Sequence, residues 1–542
     1  MQAIHSTVAS NCSPRTTTPE VYRRQDCHKP ITQGQSNLLR LGVQNGLPQR
    51  SLADELVDCY FENVHVLYPF LHRPTFEAQY EQTWTSRDQQ DDEWLALLNV
   101  VFALGIHFAY ELEDTSAASD RFFGYAQKLV SMEQFAHATI QTLQLLLLSG
   151  IYYQSTSRPN QSWNSIGLAI RIASTIGAHV DPTPEQFDPV QIEVRRRCWY
   201  GCVVLDSVLA LLFGRPTSFQ GTFDVSMPSD IDDNYITPEG YLEQHPHCKP
   251  KTAVFLHSIS FCEIMKDVLY TLYSPLKAKS SHSSGNAATS REFKDAISLD
   301  KRLVDWLHSL PEYLRVGVVD GMGEFRRARN ILFVRFLNLR VLIHRPFVLP
   351  WGKPLATTEH IYQAPLDATL HAVCVTVCRS AAIQLIEVIS NNYYQGLSSA
   401  WWIDLNYLFS TASVLLAIEW AGQSPEENKA TTKAINECLI ILREMRSRSS
   451  MASTYIAMLE RAQKVEETVE KAPLAQCGLA VQPTTLNGRN PTLHVEVAPK
   501  DTNWEGWRQE SIRSGLNSPS WSMQDLFSCD LMAIDNPMPL FE

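Results

Sequence analysis

From Ser51 onward, apolar residues return at intervals of three and four, the spacing that lines one face of an α-helix. Leu52, Leu56 and Cys59 open the pattern behind Ser51, with Glu55 one position off the capping-box spacing. Leu143, Leu146, Leu147, Gly150 and Ile151 draw one stripe, and Trp163, Ile166, Gly167, Ile170 and Ile176 draw another. The period returns over 306–311, 331–346, 368–390 and 401–421, where Pro346 is expected to stop a helix after His344 and Arg345. No alternating run supports a strand meander, and no fixed period supports a solenoid. The pattern predicts an all-α fold: an irregular multi-helix body, in one or two packed lobes, running to residue 470.

The ends read differently. Residues 1–50 are rich in Thr, Gln, Ser and Pro, with Arg15, Arg23, Arg24, Lys29, Arg40 and Arg50 against two acids, and predict a disordered, mildly basic arm able to touch DNA nonspecifically. Lys279 to Arg291, KSSHSSGNAATSR, is too polar to pack and predicts a flexible connection over 276–291 between helical segments 51–275 and 292–470. Residues 471–542 are expected to be mostly disordered. Their last stretch interleaves Trp521, Leu526, Phe527 and Leu531 with Asp525, Asp530 and Asp535 and has no Lys or Arg, the composition of an acidic-aromatic activation segment.

Composition narrows the class. Hydrophobic residues make up 44% of 542 and charged residues 19%, which suits a folded body of more than one core. A net charge of −12 gives no overall attraction to phosphate, so DNA contact needs a local basic surface or a partner. The start has no signal-peptide core, and the apolar run Leu95 to Tyr110 is shorter than the roughly 20 residues of a membrane span. Twelve cysteines without a compact framework suggest reduced thiols, hence an intracellular protein away from membranes.

Two segments carry more than periodicity. Tyr60 to Tyr80, YFENVHVLYPFLHRPTFEAQY, sets His72 and Arg73 between Pro69 and Pro74, both of which restrict the backbone. Glu193 to Phe219, EVRRRCWYGCVVLDSVLALLFGRPTSF, joins an Arg-rich helix start to an aromatic pair, an Asp on the apolar stripe and a Gly-Arg-Pro end. FDVSMPSDIDDNY follows from Phe223 to Tyr235. Together, in this order, they resemble the fungal-specific transcription factor domain, the regulatory middle homology region of zinc binuclear cluster transcription factors. Residues 52–270 resemble it well, and Leu337 to Phe347, LNLRVLIHRPF, is similar to its variable continuation.

The resemblance implies an all-α regulatory domain in a nuclear protein that controls transcription of RNA polymerase II genes, often of a metabolic pathway. His72, Arg73, Pro74, Arg196, Arg197, Trp199, Asp206, Gly214, Arg215 and Pro216 are its motif residues here, and Trp521, Phe527 and Leu531 are the candidate activation residues. The partners implied are promoter DNA, transcription coactivators, a homo- or heterodimer with related regulators, and a small-molecule effector. The family's zinc cluster needs closely paired thiolates, and of Cys12, Cys27 and Cys59 none belongs to a CxxC pair. No cofactor is therefore expected in this chain, with zinc entering only through an N-terminal cluster from outside it, and DNA reading through that cluster or a partner.

Each sharp reading has a structural counterpart. Arg195, Arg196 and Arg197 could bind phosphate, but Trp199, Cys202, Asp206, Leu209 and Phe213 mark a buried stripe on the same helix, which favours architecture. An unpaired Asp206 on that stripe would be costly, so an Arg partner, Arg171 or Arg215, is expected. Gly214 and Pro216 read as a helix stop. Cys198 with Cys202, and Cys374 with Cys378, share helix faces as small buried residues do, and His245, His247 and Cys248 lack a second ligand set. The rival class is an all-helical, magnesium-dependent prenyl-diphosphate enzyme using Asp88, Asp91 and Asp92. Its paired motif is incomplete, with Asp230, Asp232 and Asp233 in a loop, and no P-loop, GxGxxG, HExxH or GxSxG occurs, so no catalytic residue is assigned.

Overall fold

The computed structural model describes residues 47–85, 91–109, 115–130, 138–219, 224–273, 285–317, 323–348, 366–397, 400–420 and 425–470. Among them the chain forms fourteen α-helices and one two-stranded hairpin, β1 Ile236–Thr237 against β2 Gly240–Tyr241, paired antiparallel with Ile236 opposite Tyr241. The all-α expectation holds. The chain divides into two compact units, Met1–Leu148 and Ser149–Glu542. The expected connection at 276–291 is not where they part. The division falls inside one helix, Ile140–Ser155, and another helix, Gly285–Ser309, starts inside the stretch read as a loop.

The first unit holds α1 (Arg50–Tyr60), a π-turn (Phe61–His65), α2 (Arg73–Thr85), α3 (Asp92–Ala109), α4 (Thr115–Leu129) and the start of α5 (Ile140–Ser155). α3 packs on α1 and α4 around Leu56, Tyr60, Phe76, Trp94, Phe102 and Phe122, all buried. Two buried polar side chains of this unit are tied down, as burial favours. Trp94 Nε1 donates to Thr83 Oγ1 at 2.9 Å, and Ser119 Oγ to the Ala103 carbonyl at 2.8 Å. Gly105 of α3 lies against the α1 backbone at Leu56 so closely that no side chain fits between them.

In the second unit α6 (Pro159–Thr175), α7 (Pro189–Phe213), α8 (Ala253–Leu272), α9 (Gly285–Ser309), α10 (Arg326–His344), α11 (Leu366–Tyr393), α12 (Trp401–Trp420), α13 (Pro425–Glu444) and α14 (Ser450–Glu470) each pack on the next, and α8 also packs on α10, α11 on α13 and α12 on α14. α7 is framed at both ends. Asp188 and Gln191 form a capping box, Pro189 takes the first turn, and Gly214 closes the helix in the left-handed region at φ 60°. Pro346 ends α10 as expected, one short 3₁₀ turn after His344.

Among the described residues two helices are long and apolar enough to cross a membrane, Ala368–Tyr393 and Trp401–Trp420. Their apolar faces are used inside the unit, most fully in α12, where Phe409 stacks on Tyr455 of α14 at 4.0 Å and Tyr455 donates to Asn406.

Candidate functional site

The residues of the Glu193–Phe219 segment converge on one knot of charge. Three consecutive arginines point about 100° apart around α7 and meet different partners. Arg195 lies over the Phe187 ring at 3.9 Å and donates to the Ile176 carbonyl. Arg196 grips Asp181 through two 2.8 Å bonds. Arg197 is 1% exposed and donates to Glu193, one turn back, and to Asp233, in the loop after α7. Burial works against its charge, and the two carboxylates more than offset this, so its pKa is raised.

The same carboxylates hold the loop 224–235 against the helix. Asp181 also accepts from the Ser226 amide and hydroxyl, Glu193 from the Ser229 amide, and Tyr200 donates to the Val225 carbonyl at 2.7 Å. The grip of Arg196 holds Asp181 below the usual carboxylate range. A depressed acid stabilises above its unfolded pKa and loses that contribution as pH falls through the folded one. Because the pair is partly exposed, Arg196→Gln should cost about 0.5–1 kcal/mol at neutral pH. Urea titrations should show this gap to the unmodified chain close in acid, whereas a constant gap would mean the pair contributes through packing alone.

Asp206 departs from expectation. It does not pair with an arginine. Its carboxylate accepts from the Ser218 amide at 2.7 Å and the Ser218 hydroxyl at 2.8 Å. Burial raises its pKa, and the Ser218 bonds oppose that rise. Arg171 is exposed, and Arg215 turns instead to α6, over the rings of Trp163 (5.1 Å) and Phe213 (5.3 Å) with a bond to Asn160. The bend at Gly214 and Pro216 brings Ser218 back over the helix, and Phe219 meets Trp199 edge-on at 5.2 Å.

His72, Arg73 and Pro74 lie in the first unit, at the start of α2. His72 Nδ1 sits 2.7 Å from Thr75 Oγ1, and the His72 carbonyl accepts from the Phe76 amide. Arg73 reaches Glu77 (2.6 Å) and Asp58 (3.1 Å) and covers the Phe61 ring. Trp521, Phe527 and Leu531, and all but the last few residues of the arm, lie outside the described residues.

Among the described residues no three His, Cys, Asp or Glu side chains gather into a metal-binding group. His245 and His247 stack at 5.1 Å in an exposed loop beside exposed Cys248. Cys198, Cys202, Cys374 and Cys378 are buried and form no disulfide, and burial pushes Cys374 up to about 11 and Cys378 up to about 12, which keeps these two as thiols. Asp88 is outside the described residues; Asp91 and Asp92 sit at the exposed start of α3. Asp232 accepts from the Lys251 amide and from Gln244, and Asp233 serves Arg197.

Sequence reasoning assigned neither Glu193 nor Asp233 as a partner of Arg197. The four-residue step from Glu193 to Arg197 was a usable signal for the first. It also missed a small cavity in the second unit, between α7, α8, α10 and α12, into which Arg335 and Asn338 project.

Residues 57–308 match the family model of the fungal specific transcription factor domain. Among relatives, the "Activator of stress genes 1" of Saccharomyces cerevisiae is 27% identical over 402 residues, 71% of this chain and 40% of that protein. The "Transcription factor FBD3" of Gibberella moniliformis is 26% identical over 408 residues, 70% of this chain and 52% of its own. The "Acetamidase regulatory protein" of Emericella nidulans is 25% identical over 425 residues, 78% and 48% respectively. The chain thus spans about half the length of the curated relatives it matches.

Proposed function

We propose that this chain regulates transcription of RNA polymerase II genes from the nucleus, metabolic-pathway genes in particular, through its helical body. The observation that carries the reading is the domain match over 57–308, beside the likeness to relatives whose names are those of activators and transcription factors. The arrangement around α7 supports it. The arginines that could have met phosphate are engaged by Phe187, Asp181, Glu193 and Asp233, so this helix acts as a frame for the loop after it rather than as a DNA reader. Promoter DNA is then reached through a partner, which includes a related regulator in a dimer, or through a zinc cluster outside the described residues. Coactivators are engaged by the acidic-aromatic segment around Trp521, Phe527 and Leu531.

Genome-wide chromatin occupancy of the tagged chain, with and without residues 1–50, tests this. Sharp promoter peaks are expected from the full chain. Peaks that persist without the arm place DNA reading in a partner, and peaks that vanish place targeting in the arm. A chain without promoter peaks, whose induction leaves transcripts unchanged, would overturn the reading.

A further inference from the structure

The knot of charge at the start of α7 carries a surface. Val180, Met227, Tyr241 and Leu242 are 46–54% exposed, and all four belong to segments that the knot fastens. Val180 pairs with Asp224 in a parallel bridge, and the next amide, that of Asp181, donates to the Asp224 carbonyl at 3.1 Å. Met227 stands between two anchors, Ser226 on Asp181 and Ser229 on Glu193. Tyr241 reaches Ser229 from the hairpin and lies near Arg196 and Glu193, and the Leu242 amide donates to the Tyr235 carbonyl at 2.7 Å. These apolar side chains are therefore presented to solvent on hydrogen-bonded backbone. Other strongly exposed apolar side chains, such as Tyr270, Ile297 and Ile440, lie on separate helices, the scattered exposure ordinary for a folded surface.

The rim has one sign. Residues 176–192 and 224–243, which supply this face, contain no Lys or Arg. Asp181 and Asp233 are engaged by Arg196 and Arg197, whereas Asp224, Asp230, Glu239 and Glu243 are exposed. Arg196 is the cation beneath the face, and Asp181 holds it through both carboxylate oxygens. The lysines that follow turn elsewhere: Lys249 donates to the Pro246 carbonyl, and Lys251 pairs with Glu324. Burial and the neighbouring Asp232 push Asp230 above the usual carboxylate range, as expected of an acidic place short of cations. An apolar centre inside such a rim repels phosphate and anionic lipid and attracts cations that carry apolar side chains with them.

We propose that this face docks a basic amphipathic segment of a partner protein, whose apolar side chains cover Met227, Tyr241 and Leu242 while its Lys or Arg side chains meet Asp224, Asp230, Glu239 and Glu243. Charge complementarity identifies the occupant. A nucleic acid or an anionic membrane would be repelled by the rim, an acidic segment likewise, and a purely polar basic segment would leave the apolar centre uncovered. The ionic knot then has a second consequence besides holding the loop 224–235 to α7. It fixes the docking face before the partner arrives, so that binding does not have to order the loop. The inference goes beyond the regulatory reading and does not depend on it.

The test is fluorescence anisotropy of labelled synthetic peptides titrated with the purified 542-residue chain. The probe is a helical peptide of Leu and Lys with its leucines on one face; the comparisons replace every Lys by Glu, or every Leu by Ser. The Leu-Lys peptide is expected to bind, more weakly as salt rises, and both comparisons to bind about tenfold more weakly or worse. Met227→Ser with Leu242→Ser, and separately Asp224→Asn with Glu239→Gln, should each weaken the Leu-Lys peptide about tenfold, and as all four side chains are exposed, Tm should hold. Ile297→Ser with Asp305→Asn, an exposed pair on α9, should leave the affinity unchanged. An equal loss in this α9 variant would reduce the binding to adhesion on a chain of net charge −12 and overturn the proposal. So would undiminished binding by the Met227, Leu242 variant, or a Leu-Glu peptide that binds as tightly. A chain that ignores the Leu-Lys peptide but sediments as a dimer, and as a monomer once Met227 and Leu242 are replaced, would assign the face to a second copy instead.

Discussion

Replacing Arg197 by Met should destabilise the second unit by about 3–5 kcal/mol, because it removes the cation that the buried carboxylates of Glu193 and Asp233 share. Met keeps most of the side-chain volume, so the loss reports charge and hydrogen bonding rather than a cavity. The two carboxylates then repel each other in poorly solvated surroundings and must take up protons or draw in water. Adding Glu193→Gln and Asp233→Asn to the same chain should recover most of the loss, since a neutral polar set is far cheaper to bury than two unpaired charges. Urea unfolding checks both halves, and hydrogen exchange at the Ser229 amide, which Glu193 holds, should rise first in the single variant. A single variant as stable as the unmodified chain would mean that the triad is solvated in solution and does not anchor the loop.

Gly105→Ala is the second large effect, expected at about 2 kcal/mol even after the better helix propensity of alanine is credited. A Cβ there would lie 2.3 Å from the Leu56 carbonyl oxygen and 3.1 Å from its carbon. Both atoms belong to the backbone of α1, which cannot turn aside, so α3 and α1 must move apart and Leu56 and Tyr60 lose packing. Gly150 offers the control. A Cβ at that position meets Ile166 Cδ1 at 2.4 Å and Cγ1 at 2.9 Å, atoms of one side chain that can shift without moving a backbone, and Gly150→Ala should cost less than Gly105→Ala. Thermal unfolding that ranks the two variants in the opposite order would show that the close approach at Gly105 is absent in solution.

The arginine run shows where sequence reading reaches its limit. That Arg195, Arg196 and Arg197 start a buried helix was legible from the stripe through Trp199, Cys202 and Leu209, and this was enough to favour architecture over phosphate binding. Their separate partners were not legible, because Asp181 and Asp233 come from segments outside the helix and reach it only through the path of the chain. Asp206 makes the same point in reverse. A buried carboxylate had to find donors, which physics required. That the donor would be Ser218 rather than an arginine depended on the bend at Gly214 and Pro216 folding the following loop back onto α7.

The sequence by itself determined the helical class, most helix positions and the stops at Gly214 and Pro346, because these depend on the period of apolar residues and on local backbone preferences that act within a few residues. Its two motif segments were also enough to point to the domain family. Only the tertiary structure decided where the units divide and which polar residues lie inside. The division falls within α5, apolar along much of its length and so without the polar composition that marks a linker, whereas the polar stretch at 276–291 proved to contain the start of α9. Arg335 and Asn338 read in sequence as ordinary polar positions of an amphipathic helix. They become a buried pair because α10 is covered on several sides by helices distant in the chain, and burial of that kind is a property of packing among segments rather than of any one segment's pattern.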